Sequence, residues 1–174
     1  TQESAYAVQR INEARRIAGG DRVTGRKIGL TAISVQRQLG VDQPDYGALW
    51  SSTAFGDGAE IPLALFIRPK VEAEVAIVPD KDVTAADATL PDLFAATAYA
   101  VPALEIVDSR IEAWDIRLFD TIADNASAAG YVLGADPKRL DQLGLRDAGM
   151  TLAEDGRVAS QGRGGEWMGH PLHA

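Results

Sequence analysis

Apolar residues recur at helical spacing near the start of the chain, with Ala5, Val8, Ile11 and Ala18 on one stripe of residues 4–18. Ser4 is placed to cap the first turn and Gly19-Gly20 to stop the last, so the pattern predicts one amphipathic helix. "RVTGRKIGL" (22–30) reads as a strand interrupted by glycines, "ISVQRQL" (33–39) as a short helix closed by Gly40, and "GVDQPDYG" (40–47) as a turn-rich loop. Strands are predicted around 60–67 and at 70–78, a helix over "TLPDLFAATAYA" (89–100) with Pro91 in its first turn, and a strand over "VPALEIVDS" (101–109). After the irregular "IEAWDIRLFDTIADNAS" come a strand at 130–134 and a hairpin at 150–160 turning on Asp155-Gly156. Without repeat, low-complexity tract or linker, residues 1–174 read as a single domain.

The run "KVEAEVAIV" (70–78) departs from a plain core strand. Val71, Ala73, Val75 and Ile77 share one face, which leaves Glu72 and Glu74 as neighbours on the other. Two carboxylates roughly 6.5 Å apart repel by about 2.5 kcal/mol at an effective dielectric near 20. Glu105 sits in the middle of another predicted strand. If the two strands are neighbours, three carboxylates converge, and an all-oxygen set of this size suits Mg²⁺ or Mn²⁺. On spacing alone, a Glu-x-Glu strand is more often the solvated face of an antiparallel sheet. By the same token, Lys27 fits a surface lysine, Asp45 between Pro44 and Gly47 fits a turn aspartate, and His170 beside Pro171 fits a helix cap.

Composition narrows the chemistry. The 174 residues are 46% hydrophobic and 24% charged, an ordinary globular balance. A net charge of −8 and a pI near 4.7 argue against a nucleic-acid or anionic-membrane surface and for a small molecule or a cation as partner. Cysteine is absent, which excludes disulfides and thiolate zinc sites and fits a reducing cytoplasm. The longest apolar stretches, such as "IPLALFI" (61–67), are far short of a membrane span. There is no Gly-x-Ser-x-Gly elbow, Walker loop or dinucleotide fingerprint, and two histidines do not make a histidine-rich metal site.

The strings "AYAVQRINEAR", "GRKIGLT", "VDQPDYGAL", "KVEAEVAIV", "VPALEIVDSRI", "DTIADNAS" and "GHPLHA", in this order, resemble the 2-hydroxypenta-2,4-dienoate hydratases of the fumarylacetoacetate hydrolase-like superfamily. These enzymes act in meta-cleavage degradation of aromatic compounds. The resemblance covers nearly the whole chain and implies an α+β fold, a mixed, strongly curved β-roll with peripheral helices and the metal in its mouth. It implies Glu72, Glu74 and Glu105 as the ligands of Mg²⁺ or Mn²⁺, the trio that the strand pattern singles out. It also implies a further N-terminal helical stretch and, after "GHP", a helix and more strands, so the chain reads as a piece of a longer protein, incomplete at both ends.

The activity implied is that of a hydro-lyase. It ketonises 2-hydroxypenta-2,4-dienoate and adds water to give 4-hydroxy-2-oxopentanoate, with Lys27 and Asp45 as the proton-handling pair and Asp124 and Asn125 organising the site. Related readings are 4-oxalocrotonate decarboxylase, another 2-oxo acid hydratase, or a catalytically silent scaffold subunit. A cytoplasmic homo-oligomer associated with a decarboxylase or aldolase completes the expectation.

Overall fold

The computed structural model describes residues 1–32, 36–37, 41, 43–85, 87–166, 169 and 171–173. Most of the helix predicted at 33–39, its closing Gly40, and His170 lie outside the described residues. The chain divides into two compact units, Thr1–Glu72 with Glu105–Val132, and Ala73–Leu104 with Leu133–Ala174.

In the first unit, helix α1 (Gln2–Ala18) begins earlier than predicted because Thr1 supplies the cap, its hydroxyl accepting the Ser4 N–H at 3.2 Å. Gly19 and Gly20 end it, Gly20 at φ 94°. Strands β1 (Val23–Gly29) and β2 (Asp45–Trp50) pair antiparallel, Lys27 opposite Gly47 and Gly29 opposite Asp45. Directly opposed residues share a face. Two charged side chains and two glycines therefore occupy one side of this ribbon.

Both glycines are required by close approach. A Cβ at Gly29 would lie 2.3 Å from Asp45 Oδ1, and one at Gly47 would lie 2.3 Å from the Asn125 carbonyl oxygen. The core of this unit is built from Ala48, Trp50, Ile106, Val107, Ile122 and Ala126.

Strands β3 (Ala54–Phe55), β4 (Lys70–Pro79), β5 (Thr97–Val107) and β6 (Ala128–Leu133) form a sheet in the order β3-β6-β5-β4, with β3 and β6 parallel. The neighbouring of β4 and β5, on which the carboxylate argument depends, is thus observed. Burial along β4 does not alternate as predicted: Val71 is exposed, and residues 73–78 are all half-buried, as befits an edge strand that neither face covers fully.

The strand predicted around 60–67 is absent. A 3₁₀ turn at Leu63–Leu65 takes its place, with Leu63 at 71% and Leu65 at 62% exposure. Pro62 and Pro69 cannot donate to a ladder, and the N–H groups of Ile67 and Arg68 go instead to the buried Asp108 carboxylate at 2.6 and 2.8 Å. Within the stretch read as irregular lies a short helix, α3 (Leu118–Ala123), whose six residues are too few to print a helical period.

In the second unit, helix α2 (Leu90–Ala96) opens at Thr89, whose N–H donates to Asp92 at 2.8 Å, and has Pro91 in its first turn as predicted. It stops before residue 100, because Thr97, Tyr99 and Val101 favour extended backbone and open β5. Ala100, Leu140, Leu145 and Leu172 form the core here. Strands β7 (Gly149–Glu154) and β8 (Arg157–Arg163) make the predicted hairpin, with Asp155 and Gly156 both at positive φ. No helix among the described residues is long and apolar enough to cross a membrane.

Gly47→Ala should destabilise the protein by roughly 1–3 kcal/mol, since the added methyl meets rigid backbone. Gly25→Ala, which meets only a Leu49 methyl at 3.6 Å, should stay within about 0.5 kcal/mol. Denaturant midpoints of the two variants check the difference.

Candidate metal centre

Neighbouring strands bring together the trio that the sequence pattern marks out. One carboxylate oxygen from each of Glu72, Glu74 and Glu105 lies within 4.8 Å of the other two. Glu72 is exposed, Glu74 half-buried and Glu105 buried, so the group grades from solvent to interior.

Lys27 is not a surface lysine. Its ammonium sits 3.1 Å from Glu105 Oε1 and donates to the Ala126 carbonyl oxygen at 3.0 Å, with both partners of the ion pair under 10% exposed. Nor is Asp45 an ordinary turn aspartate: it opens β2, is buried, and accepts a hydrogen bond from the Thr121 hydroxyl at 3.4 Å.

Charge in this region is unbalanced. Burial raises the Glu105 carboxyl to about 7; Lys27 opposes the rise, while Glu72 and Asp45 add to it. Burial likewise raises Asp45, against the pull of Lys27 and the Thr121 hydrogen bond, with Glu72 again adding. Glu105 Oε1 is fully buried and faces the Lys27 ammonium at 3.1 Å. An oxygen-only donor set with a surplus of negative charge, buried at one end, fits a hard divalent cation.

Asp124 and Asn125 lie beside these groups without joining the trio. Asn125, Ala126 and Ser127 take three consecutive positive φ angles of 59°, 51° and 56°, a strained run. Asn125 holds it to β2 with a reciprocal pair: the Ala48 N–H donates to Oδ1 at 2.7 Å, and Nδ2 donates to the Ala48 carbonyl at 2.9 Å. The strained turn aims the Ala126 carbonyl at Lys27. Asp124 closes α3 and accepts hydrogen bonds from the Arg110 side chain and, at 3.0 Å, from its backbone N–H.

Five further residues escape the sequence reading. Arg110 ties Asp124 to the Asp108 carbonyl, and Asp108 in turn anchors the segment entering β4. Both fall in "DSRI", directly after the β5 pattern, which is the one signal that could have found them. Gln9 lies in "AYAVQRINEAR" and Thr121 and Ser127 in "DTIADNAS", blocks whose resemblance does not mark these residues within them. Gln9 is 2% exposed, and the Ser127 hydroxyl is buried without a partner among the described residues.

The fold superimposes with a TM-score of 0.94 on 4-oxalocrotonate decarboxylase from Pseudomonas putida G7, complexed with magnesium and adipate, at 34% identity over 99% of this chain and 65% of that one. Fold and carboxylate trio together define an α+β protein of the fumarylacetoacetate hydrolase-like class.

Sequence relatives are more specific. The chain is 58% identical over 170 residues to the 2-keto-4-pentenoate hydratase of Burkholderia vietnamiensis, covering 98% of this chain and 65% of that protein. It is 39% identical over 172 residues to a 2-hydroxypent-2,4-dienoate hydratase of Pseudomonas putida, covering 98% of this chain and 78% of that protein. The chain belongs to the 2-hydroxypentadienoate (2-keto-4-pentenoate) hydratase family. It spans about 65% of the length of the first of these relatives. No protein-family model matches it.

The raised Glu105 has a thermodynamic consequence. The folded state holds its proton more tightly than the unfolded chain, whose glutamate titrates near 4.5, so the contribution of Glu105 to metal-free stability should be full below about 4.5 and fall, by about 3 kcal/mol, as pH rises through about 7. A divalent cation at pH 8 should restore it. Urea unfolding at pH 5 and pH 8, with and without Mg²⁺, checks both; a midpoint indifferent to pH and to cation would contradict the electrostatic reading.

Proposed function

We propose that the protein containing this chain is a metal-dependent hydro-lyase that converts 2-hydroxypenta-2,4-dienoate and water into 4-hydroxy-2-oxopentanoate. The observation that carries the reading is the buried Lys27–Glu105 pair, which sets an acid–base ensemble with Asp45 directly against the carboxylate trio. Glu72, Glu74 and Glu105 would hold Mg²⁺ or Mn²⁺; the magnesium of the decarboxylase of like fold supports that choice. A cation held there supplies Lewis-acid stabilisation for charge developing on the C2 oxygen and the carboxylate of the substrate.

The chain's own groups then have defined work. Ketonisation takes a proton from the C2 hydroxyl and places one on C5; hydration puts hydroxyl on C4 and a proton on C3. Lys27 Nζ, held between Glu105 and the Ala126 carbonyl, and the buried Asp45 carboxyl are the groups assigned to these transfers. Asn125 and Asp124 organise the site by fixing the turn that orients Lys27. A curved β-roll as the fold of the whole protein belongs to the same proposal.

The decarboxylase reading is favoured by fold likeness at 34% identity, the hydratase reading by relatives at up to 58% identity, and the latter is preferred. Incubating the full-length protein with Mg²⁺ and either 2-hydroxypenta-2,4-dienoate or oxalocrotonate separates them, because the product mass reports gain of water or loss of CO₂. Glu105→Gln should weaken Mg²⁺ binding and lower turnover by on the order of 10²- to 10³-fold. Lys27→Ala removes the cation competing for Glu105, so it should keep or gain Mg²⁺ affinity while turnover falls by roughly 10²- to 10⁴-fold. Calorimetric titration alongside steady-state rates reads both. Parent-like Mg²⁺ affinity and turnover in Glu105→Gln would overturn the assignment.

A further inference from the structure

Gln9 is the one buried polar residue of α1. Its amide uses both hydrogens: Nε2 donates to the Tyr46 carbonyl oxygen at 2.7 Å and to the Ile122 carbonyl oxygen at 3.1 Å. Those carbonyls belong to the residues immediately following Asp45 and Thr121, the pair whose side chains meet at 3.4 Å. Strand β2 and helix α3 exchange no backbone hydrogen bond among the described residues, so the amide bridges two segments that otherwise meet through the long Thr121–Asp45 contact.

One turn earlier on the same helix, Tyr6 stacks on Tyr46 with ring centroids 4.6 Å apart and planes 18° apart, closing the junction from the side. Mere packing of α1 against this junction would be served by leucine, which carries no polar group to desolvate. A buried amide with both donors used fixes the spacing of two carbonyls, and with it the spacing of the side chains next to them.

From this arrangement we propose that Gln9 is a positioning residue for Asp45, holding β2 and α3 at the separation that keeps the Thr121 hydroxyl on the Asp45 carboxylate. The kinetic part of the inference rests on the hydratase reading. Gln9 touches no member of the carboxylate trio in any hydrogen bond described, so its influence should fall on proton transfer and leave cation binding alone.

The test uses the full-length protein carrying Gln9→Met, which keeps the length of the side chain and removes both donors. Because small misplacements of a reacting group are costly, kcat should fall by on the order of 10²-fold while KM and the Mg²⁺ dissociation constant stay within about twofold of the parent. The variant's crystal structure should show Asp45 and Thr121 moved out of hydrogen-bonding range. Unchanged kcat with Asp45 in place, or a loss of kcat matched by a loss of Mg²⁺ affinity, would overturn the proposal.

Should the parent fail to hydrate 2-hydroxypenta-2,4-dienoate, the hydratase reading falls, and the Asp45–Thr121 separation in the variant's structure still decides the role of Gln9. If Gln9→Met does not fold, Gln9→Glu takes its place. Its buried carboxyl takes up a proton and keeps one of the two donors, so a smaller loss of kcat with unchanged KM is expected.

Discussion

One buried ion pair organises the first unit. Lys27 and Glu105 come from different sheets, and each is nearly sealed from solvent, where an unpaired charge would cost several kcal/mol. The pair is tolerable because Lys27 has a second acceptor in the Ala126 carbonyl, and that acceptor exists only because residues 125–127 adopt a left-handed run that L-residues ordinarily avoid. The strain is held by the Asn125 clasp on Ala48, which in turn needs the bare backbone of Gly47 to come close. Charge, turn, clasp and glycine are links of one dependency. Each makes sense only as support for the ammonium at its end.

The same dependency explains which parts of the molecule were legible in its residues. Glu72, Glu74 and Glu105 could be singled out because strand alternation is a rigid rule, and an acidic pair within an apolar alternation violates expectation visibly. The hairpin at Asp155-Gly156 was legible for a similar reason, since its turn type demands residues that few other contexts prefer. Lys27 and Asp45 could be named only through resemblance. Nothing in "GRKIGL" tells a solvated lysine from one paired 78 residues away, because burial is a property of the partner as much as of the residue.

Where the local pattern misled, a tertiary contact had overridden it. "IPLALFI" has the composition of a strand, yet the carboxylate of Asp108, far along the chain, takes two of its neighbouring N–H groups and leaves a 3₁₀ turn. "ATAYA" follows a good helix start and still becomes strand, because β-branched and aromatic residues fill a sheet more favourably than they extend a helix. Gln9 was invisible for the plainest reason: on a helix rich in polar residues, a glutamine that faces inward looks like any that faces out.

The reach of the Gln9 bridge also sets an order in time. Its two acceptors lie 37 and 113 residues further along the chain. Closing so long a loop is slow and entropically unfavourable compared with the local β7–β8 ribbon. At ribosomal speeds of about 5–20 residues per second, roughly 6 to 23 s separate the emergence of the helix from that of its second acceptor. Throughout that interval the inward amide of Gln9 lacks its second acceptor. Helix α1 thus precedes its second acceptor by a long stretch of chain, and a nascent chain of this kind is a natural client for whatever guards emerging polypeptides.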